Sequence, residues 1–138
     1  MKLILVTGPS NCGKTTTIRN VFYKLCGRKK QKASNVLFYN EEGIGYPLGK
    51  DFEAIIKYKT KTVAFYSMGD VKSCCVDALI KYAEADVLIM ALNNHFKPFL
   101  TKDNMHVYQD FPKHVVIKSE KFYSPTWVEK IIDAIFKE

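Results

Sequence analysis

Apolar residues recur along the chain in two kinds of pattern. Residues 3–6 form a continuous apolar run that ends just before Gly8, which is typical of a strand buried on both faces of a sheet. From Lys14 to Leu25 the apolar positions lie three or four residues apart, which predicts an amphipathic helix. Further runs rich in β-branched and apolar residues predict strands over residues 35–40, 62–66, 86–92 and 114–118.

Helical spacing between and after these strands predicts two more helices. Residues 73–85 carry apolar side chains on one face, and a last helix is expected to begin at Pro125 with Ser124 as its N-cap. Strands that alternate with helices indicate an α/β fold with a mostly parallel sheet. We therefore expect one domain over residues 1–138, with a five-stranded sheet flanked by helices.

Two segments have no regular pattern. They are residues 41–50, which contain three glycines, and residues 93–113, which contain two prolines. Each is expected to follow the C-terminal end of a strand, the edge at which open α/β sheets bind ligands. Residues 51–61 are not assigned to a strand either.

Candidate chemistry is concentrated in the stretch GPSNCGKT, residues 8–15, between the first strand and the first helix. Its spacing is G-x-x-x-x-G-K-[ST], in which glycines let the backbone approach an anion and N–H groups at a helix start point toward it. Lys14 would reach the β- and γ-phosphates of a nucleotide, and the Thr15 hydroxyl would bind Mg²⁺. The predicted phosphate-binding residues here are Gly8, Ser10, Asn11, Cys12, Gly13, Lys14 and Thr15.

With a strand before it and a helix after it, this stretch resembles the phosphate loop of the P-loop NTPase superfamily. The alternation of strands and helices extends the resemblance over most of the chain. The resemblance implies the three-layer P-loop NTPase fold and a nucleoside triphosphate bound with Mg²⁺. It also implies that Thr16 lies near the α-phosphate.

Members of this superfamily usually carry a second carboxylate, at the end of a neighbouring strand, that holds the water ligands of the magnesium. The strand over 62–66 contains no acid, and the first carboxylate after it is Asp70. An overlay on the D-x-x-G motif of small GTPases sets Tyr66 at the aspartate, Gly69 at the glycine and Asp70 at the following glutamine. The Gly69 amide would then touch the γ-phosphate, Asp70 would orient or deprotonate a water, and Ser67 would support the magnesium. Asp70 is thus predicted as a catalytic residue alongside Lys14, and as a metal-binding residue alongside Thr15.

Other interpretations of these acids stay open. Gly69 and Asp70 also fit a turn and an N-cap for the helix over 73–85, and both roles are compatible. Glu41 and Glu42 begin the glycine-containing segment and would either act in a switch loop that brings a carboxylate to the metal or simply be solvated.

Two further points concern which nucleotide base the protein binds and which reaction it catalyses. The stretch ALNNHF, residues 91–96, lacks the lysine and aspartate of the guanine-reading N-K-x-D motif, so ATP is the default. Related kinases usually have an arginine-rich lid, whereas Arg19 and Arg28 are the only arginines of this chain. We therefore expect Mg-dependent ATP binding with slow hydrolysis at the β–γ bond. The alternatives are a phosphotransferase acting on a small metabolite or nucleotide, and a non-catalytic nucleotide-binding switch or nucleic-acid-associated module.

Charge and cysteine content bear on the partners of the protein and on its cellular compartment. The formal net charge of +7 favours anionic partners of any kind. The basic tract GRKKQK, residues 27–32, would suit nucleic-acid phosphates, but no aromatic residues interleave with it, which favours a solvated turn. The four cysteines lack zinc-ligand spacing and predict reduced thiols in the cytoplasm, and no apolar stretch is long enough to span a membrane.

Overall fold

The computed structural model describes residues 2–8, 13–26, 34–41, 51–96, 113–118 and 125–137. Within these ranges the strands are β1 (Lys2–Gly8), β2 (Val36–Asn40), β3 (Glu53–Tyr58), β4 (Lys61–Tyr66), β5 (Val87–Asn93) and β6 (Lys113–Lys118). The helices are α1 (Lys14–Cys26), α2 (Lys72–Lys81) and α3 (Pro125–Phe136), and a 3₁₀ turn covers Asn94–Phe96.

The six strands form one mixed sheet in the order β2-β3-β4-β5-β1-β6. Strand β1 pairs in parallel with β5 and β6, and β4 pairs in parallel with β5. Strand β3 pairs antiparallel with both β2 and β4. Strands β4, β5, β1 and β6 therefore form a parallel half of the sheet. Strands β2, β3 and β4 form an antiparallel meander.

The predicted three-layer P-loop NTPase fold with a mostly parallel five-stranded sheet is wrong; the structure is a small mixed α/β fold. The error lies in residues 51–61, which contain the unpredicted strand β3. Its turn into β4 is formed by Lys59 and Thr60, and Lys59 adopts a φ of 54°. Glycine or asparagine usually occupies a position with such a backbone angle. Because lysine stands there instead, the sequence does not indicate the hairpin turn.

Each face of the sheet has its own hydrophobic core. On one face, α1 and α3 pack over alternate residues of β1, β3, β4 and β5, around Ile18, Phe22 and Ile131. On the other face, α2 packs over β1, β4 and β5 through Cys75 and Leu79. No residue of β2 belongs to this second core, and Phe38, whose ring lies under Lys81 at the end of α2, is 37% exposed. The layers are thus less complete than predicted.

The start of α2 also differs from expectation. The helix begins at Lys72 after Val71 as its N-cap residue, and no side chain caps it. The interpretation of Asp70 as the N-cap is therefore wrong. The helix ends at Lys81, before the predicted end at residue 85. Within the described ranges, no helix is both long and apolar enough to cross a bilayer.

Gly69 lies where the chain leaves β4 and passes closely over β5. A Cβ atom at this position would lie 2.6 Å from the Ala91 carbonyl carbon and 2.7 Å from the Leu92 nitrogen. The Gly69 carbonyl also accepts a hydrogen bond of 2.8 Å from the Asn93 N–H. Close packing of two backbones therefore explains why glycine is needed here.

We expect Gly69→Ala to lower the free energy of unfolding by about 1–3 kcal/mol, the usual cost of overpacking. The obstacle is backbone, so adding Ala91→Gly removes only the contact of 2.8 Å with the Ala91 Cβ and does not restore stability. Urea unfolding of both variants and of Ala91→Gly alone measures this. Recovery in the double variant, or parental stability of Gly69→Ala, would contradict the close approach.

Candidate functional site

Strand order brings four segments together at one edge of the sheet. The C-terminal ends of β1, β4 and β5 meet there because these strands run in the same direction. Gly8 and Asn93 are register partners at the ends of β1 and β5. Because β3 is antiparallel to β4, the N-terminal end of β3 lies at this same edge, preceded by Asp51 and Phe52.

Lys14 is the first residue of α1 and is 5% exposed. Its Nζ donates a hydrogen bond of 3.1 Å to the Gly8 carbonyl and lies 3.8 Å from Asp70 Oδ1. Gly13 precedes it with a φ of 94°, a conformation that favours glycine. The lysine ammonium is thus held over the end of β1, at the start of the helix.

Thr15 lies beside a buried carboxylate that the sequence interpretation missed. The Thr15 hydroxyl donates a hydrogen bond of 2.8 Å to Asp51 Oδ1, and the Ser67 hydroxyl donates one of 2.9 Å to the same oxygen. Asp51 is only 7% exposed. We call Thr15, Asp51 and Ser67 the hydroxyl–carboxylate cluster.

The cluster is positioned by the ladder between β3 and β4. The Phe52 N–H donates to Ser67 Oγ at 2.8 Å, and the Ser67 N–H donates to the Phe52 carbonyl at 3.0 Å. The bond from the Ser67 N–H extends the backbone pairing one step beyond Glu53 and Tyr66, and the Ser67 hydroxyl accepts the Phe52 N–H in place of a backbone carbonyl. Asp51 therefore reaches α1 because the hairpin register brings it there.

Tyr66 occupies the position that the GTPase overlay gave to the metal-binding aspartate. Burial, followed by the proximity of Cys74, raises the pKa of this phenol. Tyr66 is therefore neutral at physiological pH and cannot replace a carboxylate. Asp51 supplies a carboxylate near Thr15 from a different strand.

Asp70 lies on the other side of Lys14 and is more exposed, with 44% of its side chain accessible. Its Oδ1 accepts a hydrogen bond of 3.0 Å from Asn93 Nδ2. Asn93 is buried, and its own Oδ1 accepts a hydrogen bond of 3.0 Å from the His95 N–H. The predicted acid is thus oriented by the last residue of β5, which the sequence interpretation did not include in the site.

The other residues predicted from the sequence lie on α1 or outside the described ranges. Thr16 is exposed on the first turn of α1, and its carbonyl accepts a hydrogen bond from Asn20. Ser10, Asn11, Cys12 and Glu42 lie outside the described residues. Gly8, Gly13, Lys14, Thr15, Gly69 and Asp70 all belong to or adjoin the edge described above.

Glu41 is tied to α1 rather than freely solvated. The Tyr39 hydroxyl donates to Glu41 Oε2 at 2.7 Å and accepts a hydrogen bond of 3.0 Å from Arg19. Burial and the bond to Glu41 raise the pKa of Tyr39 to about 12, so it remains a donor. The Arg19 guanidinium also lies 4.6 Å from the centroid of the Phe52 ring. Helix α1 thus holds residues on both sides of the segment 42–50, through Arg19 and Thr15.

Glu53, the first residue of β3, is held by hydrogen bonds on the face of the sheet that α2 covers. Its carboxylate accepts hydrogen bonds from Lys81 at 2.7 Å, from Asn40 at 2.9 Å and from the Tyr82 hydroxyl. Burial by itself would raise the pKa of Glu53, but these donors outweigh it and hold the pKa below its ordinary value. The charged carboxylate therefore ties β3 to β2 and α2, two residues from Asp51.

The donor set at this edge suits a hard cation. The described residues contain no group of three histidine, cysteine or acidic side chains that would hold a metal by themselves. The hydroxyl–carboxylate cluster offers oxygen atoms alone, which is the ligand type of Mg²⁺, an ion that keeps several waters and takes few protein ligands. The cluster therefore fits Mg²⁺ in company with phosphate oxygens.

Comparison of the chain with protein-family models, with curated proteins and with solved structures gave no match.

We expect Glu53→Gln to lower the free energy of unfolding at about pH 7 by about 1–3 kcal/mol, because it removes hydrogen bonds to a buried charge. Since the folded pKa of Glu53 is depressed, this contribution is complete above the unfolded pKa and is lost as the pH falls through the folded pKa. Urea unfolding from about pH 7 to about pH 3 should therefore show the gap between parent and variant closing.

The matched control is Glu84→Gln, an exposed acid after α2, which should stay within about 0.5 kcal/mol of the parent throughout. A gap for Glu53→Gln that is independent of pH would show that packing of the side chain, rather than its charge, provides the stabilisation.

Proposed function

We propose that this protein binds a nucleoside triphosphate, with ATP as the default, together with Mg²⁺, and that it slowly hydrolyses the β–γ bond. The observation that carries the proposal is the pair of environments around the first turn of α1. Lys14 is buried beside the more exposed Asp70, and Thr15 is bonded to the buried Asp51. The stretch GPSNCGKT supplies the phosphate-binding pattern that precedes this turn.

Lys14 would act as the phosphate ligand. Its ammonium is at the helix start, where partial positive charge and N–H groups favour an anion. A phosphate oxygen would take the place of the Gly8 carbonyl as acceptor for Nζ, and an anionic acceptor makes the stronger hydrogen bond. The buried position limits competition from water.

The hydroxyl–carboxylate cluster would hold the cation side of the nucleotide. The Thr15 hydroxyl is the direct ligand that the sequence pattern implies, and Asp51 would accept hydrogen bonds from metal-bound waters through its carboxylate. Mg²⁺, when bound, supplies neutralisation of the charge that develops on the phosphate oxygens. Ser67 keeps Asp51 oriented toward Thr15 through its hydroxyl.

Asp70 would act on the attacking water. It is exposed, close to Lys14, and oriented by Asn93, so it can accept a hydrogen bond from a water next to the γ-phosphate. This divides the work between two acids, with Asp51 on the metal side and Asp70 on the water side. The sequence prediction that Asp70 also binds the metal is the alternative that the second test below distinguishes. Free cysteine thiols at residues 26, 74 and 75 favour the cytoplasm as the setting of this activity.

The first test is the binding of Mg-ATP to Lys14→Ala. Loss of a charge-assisted contact should weaken binding by about 10- to 100-fold. The matched control is Lys130→Ala, which removes a lysine exposed on α3 and should bind like the parent. Titration calorimetry measures both, and parental affinity of Lys14→Ala would overturn the proposal.

The second test compares Asp51→Asn with Asp70→Asn in the release of labelled phosphate. Asp51→Asn should raise the Mg²⁺ concentration needed for half-maximal activity by about 10- to 100-fold, as expected for the loss of an outer metal contact. Asp70→Asn should lower kcat by about 100-fold or more without changing the Mg²⁺ dependence, as expected for a general base. The reverse pattern would assign the metal to Asp70. Label in a product other than phosphate would make the protein a phosphotransferase.

A further inference from the structure

The edge of the sheet opposite the candidate site carries aromatic and basic side chains, of which Lys59 and Phe136 are exposed and Tyr58 and Lys61 are half-buried. The hairpin between β3 and β4 turns there, at Lys59 and Thr60. Helix α3 ends at the same edge, because Lys2 Nζ at the start of β1 donates hydrogen bonds to the Ala134 and Ile135 carbonyls. Residues distant in sequence are therefore neighbours at this edge.

Four of these residues form a continuous group, which we call the hairpin patch: Tyr58, Lys59, Lys61 and Phe136. The Tyr58 and Phe136 ring centroids are 5.9 Å apart, and Phe136 is 39% exposed. Lys59 Nζ lies 5.4 Å from the Tyr58 centroid and 5.3 Å from that of Phe136. Lys61 Nζ lies 5.7 Å from the Phe136 centroid.

We propose that the hairpin patch binds single-stranded nucleic acid, with Phe136 and Tyr58 stacking on bases and Lys59 and Lys61 contacting phosphates. Flat ring faces combined with flexible ammonium groups are the features that single-strand binding surfaces share. The ammonium groups now over the rings contribute little in water, and base stacking is the stronger interaction with the same ring faces.

The end of α1 and the start of β2 lie next to the hairpin. The Lys57 N–H bonds the Asn35 carbonyl at 2.9 Å, and Asn35 Nδ2 bonds the Leu25 carbonyl at 3.5 Å. The chain therefore leaves α1 and enters β2 next to the hairpin. The sequence that joins these two segments contains the basic tract GRKKQK, residues 27–32, which lies outside the described residues.

Asp133 lies one turn before Phe136 on α3, and Asp86, at the same edge of the sheet, is engaged by the hairpin itself. Asp86 Oδ2 accepts a hydrogen bond of 2.8 Å from the Thr62 N–H. The sequence favours a solvated turn for the basic tract because no aromatic residue interleaves with it, and it leaves a nucleic-acid-associated module as an alternative. In the hairpin patch, rings from β3 and α3 lie beside Lys59 and Lys61.

The test is fluorescence anisotropy with a labelled oligothymidylate of about 20 nucleotides, without ATP, over a range of salt concentrations. The variant Lys59→Asn/Lys61→Gln removes both ammonium groups, and asparagine tolerates the positive φ at residue 59. Binding should weaken about tenfold at low salt, and the slope of log K against log salt should fall by about 1.4, as expected for two phosphate contacts. The control Lys72→Gln/Lys130→Gln removes the same charge at the starting residue of α2 and from the middle of α3 and should have little effect.

Stacking is tested separately with Phe136→Leu, which keeps an apolar side chain but removes the flat ring. It should weaken oligonucleotide binding about tenfold while leaving binding of an abasic sugar–phosphate chain of equal length unchanged. Equal binding of the abasic chain by the parent protein would overturn the proposal in favour of a general polyanion surface. Absence of binding, or equal losses in the two double-lysine variants, would also overturn it. Lys14→Ala should bind the oligonucleotide normally, so failure of the ATP proposal would not affect this one.

Discussion

The antiparallel pairing of β3 with β4 is the constraint on which the candidate site depends. It places the start of β3, and therefore Asp51, at the edge where β1 and β4 end. A parallel strand in the same place would start at the opposite edge, roughly 20 Å away for six residues. The carboxylate next to Thr15 therefore lies just before the start of an antiparallel strand. It does not follow the end of a neighbouring parallel strand.

Helix α1 links this pairing to the rest of the site. Side chains on its first two turns contact the end of β1, the start of β3 and the end of β2, through Lys14, Thr15 and Arg19. A buried carboxylate between two hydroxyls is well placed for a partly hydrated cation, and an exposed one beside an ammonium is well placed for a water. Asp51 is 7% exposed, whereas 44% of the Asp70 side chain is accessible.

Much of the parallel half of the sheet could be predicted from the sequence. Strands β1 and β5 are continuous apolar runs, and Lys14 and Thr15 follow from the spacing of the glycine loop. The antiparallel half could not be recognised as easily, because Lys59 adopts its turn conformation without glycine or asparagine. Alternation of Phe52, Ala54, Ile56 and Tyr58 was the available signal, and it would also have placed Asp51 at a strand start. Asn93 could be found only from the contact it makes with Asp70.

The outer strand of the sheet shows how its register limits contact with other molecules. Among the described strands β2 pairs with β3 alone, and this pairing shifts between Val36 and Phe38, so that Leu37 is an extra residue that points to solvent. A bulge of this kind bends the strand and breaks the regular spacing of its outward N–H and C=O groups. An apolar edge that would otherwise recruit further strands and seed aggregation is thereby made a poor template for β-sheet growth.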